Sequence, residues 1–181
     1  MANVSSLLAR ASLVALALSI AGAVGPAFAN SSGGSSGGSS TPSCPTGYVY
    51  DKNKQACVKS SSMNDEQLYQ QGRDLALGGR YEEALGVLAA VRNQSDPRVL
   101  TMIGYSKRKL GNFDEGVAYY QRALAIDPNN ADTREYLGEA YVETGRMDLA
   151  RAELASVQTI CGTECEQYED LAAAIAGQPD E

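Results

Sequence analysis

The residues able to do chemistry in this chain are its four cysteines and its carboxylates, because it contains no histidine. The missing imidazole removes the commonest general base, the commonest metal ligand and every Ser-His or Cys-His nucleophile pair. Cys44 and Cys57 form one close pair in sequence, and Cys161 and Cys165 another, so local disulfides are the first expectation. For the second pair free thiols and a metal stay open, although two thiols make only half a tetrahedral set. The carboxylates fall mainly on helix faces and first turns, where solvation and the helix dipole account for them. No Gly-rich phosphate loop, paired acid–base motif or metal-ligand spacing is present. The sequence therefore predicts a non-enzymatic protein with no catalytic residue, no cofactor and no metal.

The elements that would carry these residues are arranged in blocks. Residues 1–29 read as a secretory signal: Arg10 precedes an apolar run from Leu13 to Val24, Gly25-Pro26 breaks it, and Ala27-Phe28-Ala29 offers a small-x-small cleavage site. The run is shorter than the ~20 residues a spanning helix needs, so no stable membrane span is expected once the signal is removed. Residues 30–43 hold seven Ser and four Gly, the composition of a flexible linker. The charge balance, 15 Lys+Arg against 22 Asp+Glu, argues against a general nucleic-acid binder. The expected place is periplasmic or secreted.

Residues 44–58 form a small cysteine-closed loop or hairpin. Tyr48-Val49-Tyr50 has strand propensity, Asp51 to Lys54 is a polar turn, and Ala56-Cys57-Val58 returns. The spacing resembles part of the Cys-Pro-x-Gly segment of small secreted chitin-binding modules, and that resemblance implies a glycan-binding alternative. Residues 59–63 read as a second linker.

From Asn64 the chain repeats itself. Ile103-Gly104 recurs as Leu137-Gly138 and Gly111 as Gly145, with an earlier copy at Gly72 and Gly79. Such a period indicates stacked helix pairs. Asn64 with Gln67 reads as a capping box, Asp96-Pro97 as a cap followed by a first-turn proline, and Thr163 with Glu166 as a second capping box. Leu68, Leu75 and Leu77 supply one apolar stripe, and Tyr81, Ala84, Leu85, Leu88 and Val91 the next. The pattern Leu137-Gly138, Tyr141, Gly145, Ala150, with Asp127-Pro128 closing the previous unit, resembles the tetratricopeptide repeat (TPR). The expected fold is all-α: about three TPR-like antiparallel helix pairs with a C-terminal capping helix, spanning 64–176.

In TPR arrays the first helix of each pair lines a concave groove that takes peptides or partner helices. The resemblance places Tyr69 and Arg73 in this groove from the first unit. It adds Arg98, Thr101, Tyr105, Arg108 and Lys109 from the second, and Glu135, Glu139 and Glu143 from the third. The implied function is an exported scaffold binding an unidentified protein or peptide of the cell envelope. The groove would be basic and aromatic at its second unit and acidic at its third. The plainer account stays open, in which Arg108 simply pairs with Glu139 or Glu143.

Overall fold

The computed structural model describes residues 42–177. The expected signal segment 1–29 and most of the linker 30–43 lie outside the described residues. The element order is β1 (Tyr48–Asp51), β2 (Ala56–Lys59), α1 (Asp65–Leu77), α2 (Tyr81–Leu88), α3 (Pro97–Lys109), α4 (Phe113–Ile126), α5 (Ala131–Glu143), α6 (Met147–Cys161) and α7 (Glu166–Ile175). The helices form three antiparallel pairs followed by one more helix, the all-α array expected from the repeat.

Local chemistry sets the helix ends. Asn64 Oδ1 accepts from Gln67 N at 2.9 Å while Gln67 Oε1 accepts from Asn64 N at 3.1 Å, a complete capping box. Asp96 caps α3 just ahead of Pro97, and Asn130 caps α5 by accepting from Thr133 N. The turn inside each pair passes through Gly79, Gly111 or Gly145, all with φ between 72° and 83°. An L side chain is strained there, which is why glycine recurs at this step. The expected box at Thr163–Glu166 does not form: α7 starts two residues later than that box requires, with Cys165 as its N-cap and no side-chain cap bond.

The pairs close on small residues. A Cβ built on Gly104 would lie 2.8 Å from the Tyr120 ring and 3.0 Å from the Gly116 carbonyl oxygen, so α3 and α4 touch backbone to backbone. Gly72 receives Leu88 in the same way. Gly138 is different. Its neighbour is Leu171 of α7, at 2.5 Å from an ideal Cβ. The seventh helix thus seats Leu171 in the last glycine notch and covers the end of the array. Leu77 departs from the expected stripe: it is 44% exposed, because α1 ends just after it and its side chain lies beyond the core.

The cysteine segment is an antiparallel hairpin, with Val49 opposite Val58 and Tyr50 opposite Cys57. Asp51 Oδ1 holds the turn by accepting from Asn53 N and Lys54 N. Cys44 and Cys57 stand at disulfide distance, Cα–Cα 5.7 Å, as do Cys161 and Cys165 at 6.0 Å. Residues 59–63, expected to be a spacer, are structured. Lys59 ends β2, Ser60–Ser62 make one 3-10 turn, and Ser60 N donates to Gly47 O. Val49 joins Leu68, Leu75 and Leu88 in the first core cluster, and Lys52 pairs with Asp74 at 2.6 Å. The hairpin therefore covers the first end of the array as α7 covers the last. Closing this loop by a disulfide contributes about 3 kcal/mol on the loop-entropy account. Replacing Cys44 and Cys57 by Ser should lower the melting temperature and weaken hydrogen-exchange protection in α1 and α2 while leaving α5–α7 protected. Unchanged protection throughout would show that the hairpin does not support the helices.

Candidate functional site

The first helices of the pairs lie side by side, α1 against α3 and α5 against α7, and carry the residues expected to line the groove. Their side chains do not all reach solvent. At the first two units Arg98 is held in place: its guanidinium lies 4.5 Å over the Tyr69 ring and pairs with Asp96 at 2.8 Å and Glu66 at 3.0 Å. Thr101 is buried, its hydroxyl 2.6 Å from that of Thr133, so it links α3 to α5 instead of facing a ligand. Arg73 is exposed.

Tyr105 is the centre of an aromatic run. Its ring meets Tyr136 at 5.1 Å and Tyr81 at 6.2 Å, and the cations of Arg108 and Lys109 lie 5.5 and 5.6 Å from its centroid. It is half-buried.

Arg108 corrects the expectation of a basic groove wall. It is 1% exposed and pairs with Glu139 and, at 2.7 Å, with Glu143 of the neighbouring helix. The plainer account holds for this trio, which ties the second pair to the third. Its Nε and the Tyr120 hydroxyl are both buried and sit close enough for the cation to act on the phenol, yet without hydrogen-bond geometry. Burial drives the Tyr120 hydroxyl above the ordinary tyrosine range.

Glu135 is the group that the pattern did not single out from its neighbours. It is 7% exposed and has no hydrogen-bond or ion-pair partner among the described residues. Burial first, then the charges of Glu139, Asp170, Asp132 and Glu166, push its carboxyl up to about 9. It is therefore neutral at pH 7. A carboxyl protonated only when folded binds a proton that the unfolded chain has already lost. Stability is then greatest below the ordinary glutamate range and falls as pH rises toward the folded value. Glu135→Gln should remove this loss. The parent should lose stability relative to the variant by up to about 1.4 kcal/mol per pH unit between roughly pH 5 and pH 8. Denaturant melts at a series of pH values check this, and parallel pH profiles would contradict it.

A family model described as tetratricopeptide repeat matches residues 108–175. Solved structures share the architecture further along the chain. MamA matches at TM-score 0.54 and 21% identity, over 63% of this chain and 68% of that one. The described helices form a TPR-like array. The translocator chaperone SycD of Yersinia enterocolitica type III secretion matches at TM-score 0.53 and 21% identity, covering 62% of this chain and 86% of its own. PcrH, solved in complex with the chaperone binding region of PopB, matches at TM-score 0.52 and 22% identity, covering 62% and 92%. No curated protein sequence matches the chain. At these identities the likeness concerns the fold alone. No helix among the described residues is long and apolar enough to cross a membrane.

Proposed function

We propose that this protein is an exported, non-enzymatic scaffold that holds a segment of an envelope protein along the inner face of its TPR-like array. The observation that carries this reading is the inner face itself. Tyr105 and Tyr136 are half-buried with their rings 5.1 Å apart, the partly exposed Lys109 lies 5.6 Å from the Tyr105 centroid, and carboxylates of α5 and α7 lie beyond Tyr136. Two structural relatives were solved with protein segments bound: PcrH with a region of PopB, and SycD with a peptide of the translocator YopD. Two cysteine pairs at disulfide distance fit an oxidising compartment such as a periplasm.

The test is affinity capture from the native envelope with the parent and a Tyr105→Ala, Lys109→Glu double variant. Tyr105 also packs against Tyr81, Tyr136 and both core clusters, so the double variant should lose stability. Lys109→Glu alone, which should cost under about 1 kcal/mol, is assayed alongside it, and both should lose captured partner. Capture unchanged by the double variant would sink the groove reading. A second reading, glycan binding through residues 44–57, is favoured by a cavity of about 290 Å³ between the hairpin and α1–α2, lined by Tyr48, Gln71, Glu82 and Glu83 among others. Retention on peptidoglycan or chitin that vanishes when residues 44–57 are deleted would support it.

A further inference from the structure

The cations of the inner face are largely spent on partners within the protein. Arg98 is divided between Asp96 and Glu66, and Arg108 between Glu139 and Glu143. Four carboxylates of α5 and α7 are not matched in this way. Asp132 accepts from Gln167 at 2.7 Å, while no lysine or arginine among the described residues pairs with Asp132, Glu135, Glu166 or Asp170. Glu135, one turn after Asp132 on α5, is buried and without a partner among the described residues.

We propose that the face shared by α5 and α7 is the subsite for a lysine or arginine side chain of the bound segment, with Glu135 as its counter-ion. This rests on the groove reading above and names the chemistry of the partner at one position. Charge complementarity selects the occupant: the charges of Asp132, Glu166 and Asp170 bear on Glu135, and no cation among the described residues pairs with any of the four. Their arrangement selects an organic cation over a metal ion, because among the described residues no three acidic groups converge as metal ligands do. A guanidinium or ammonium on a flexible stem reaches such a site and satisfies several spread-out oxygens at once. Before binding, Glu135 stays protonated, so the free protein avoids an uncompensated buried charge. An arriving cation supplies the missing counter-charge and the proton leaves to solvent.

The groups that bear on this step are Asp132 and Glu139 on α5, Glu166 and Asp170 on α7, and the adjoining Tyr136. Of these Glu139 is already engaged by Arg108. Binding should therefore release about one proton near neutral pH, and affinity should rise with pH until Glu135 ionises in the free protein as well.

The experiment pans a displayed library of random short peptides on the intact oxidised protein. A selected peptide and its Lys/Arg→Gln version are then titrated against the parent, Glu135→Gln and Tyr105→Ala, with calorimetry in two buffers of different ionisation enthalpy. The expected result is one fixed Lys or Arg among the selected peptides. Its replacement should weaken binding to the parent about tenfold or more and binding to Glu135→Gln very little, with proton release seen only for the parent. Peptides that depend on Tyr105 but show no cation preference, or a preference that survives Glu135→Gln, would overturn the subsite and leave the groove reading standing. Peptides indifferent to Tyr105→Ala, or no selected peptide at all, would overturn the groove reading and the subsite with it.

Discussion

Arg108→Ala should cost about 3–5 kcal/mol, the effect of stripping the counter-ion from a buried charge. Arg108 is the largest fully buried side chain among the described residues, and Glu139 beside it is only 7% exposed. Removing the guanidinium strips that counter-ion from the buried Glu139 and opens a void between α3 and α5. The loss is a large share of the ~5–15 kcal/mol that stabilises a typical domain. In a stacked array the damage also falls on an interface between units, so the third pair and α7 should loosen together. The ion pair itself is not what the fold requires. A double variant, Arg108→Met with Glu139→Gln, removes both charges and should recover much of the loss. Thermal and denaturant melts of the two variants decide it: equal destabilisation of single and double variants would mean that volume, not charge, sets the cost.

Gly104→Leu should be the most damaging of the glycine substitutions, at roughly 3 kcal/mol or more, because overpacking here meets backbone as well as a ring. A Cβ at this position already approaches Tyr120, which is fully buried, and the Gly116 carbonyl of the facing helix. Neither can move without separating α3 from α4. Gly138→Leu presses only on the flexible end of Leu171, in a terminal helix that can shift, so roughly 1–3 kcal/mol is expected there. Melting temperatures of the two variants should fall in that order. The reverse order would show that α7 is the more rigid neighbour.

The array was legible because its signals are local and repeat. Gly104 and Gly138 fall at one step of the period, Gly111 and Gly145 at another, and Asn64 and Asp96 announce helix starts within a few residues. What stayed hidden depends on contacts between distant segments. Residues 59–63 are polar and serine-rich, and nothing near them reports that Val49 is buried against Leu68 and Leu88. Arg108 sits in a run of three cations at a helix end, which reads as a solvated terminus. Its phase held the missing signal: it lies one helical turn beyond Gly104, on the side where α4 approaches, and a Cβ on Gly116 would lie 3.2 Å from its own. Glu135 carried a similar signal, one turn before Gly138, at the edge of the face that α7 covers. The buried Tyr120 hydroxyl beside Arg108 carried no such local signal.

The central claim is that the inner face of the array holds a protein segment, and site-specific photo-crosslinking in the native envelope tests it most directly. A photoreactive residue is placed at Lys109 on α3 or, as a control, at exposed Gln121 on the second helix of the same pair. The account predicts a discrete cross-linked protein from position 109 that disappears when Tyr105→Ala is added, and none from position 121. Cross-links from position 121 with none from 109 would contradict it.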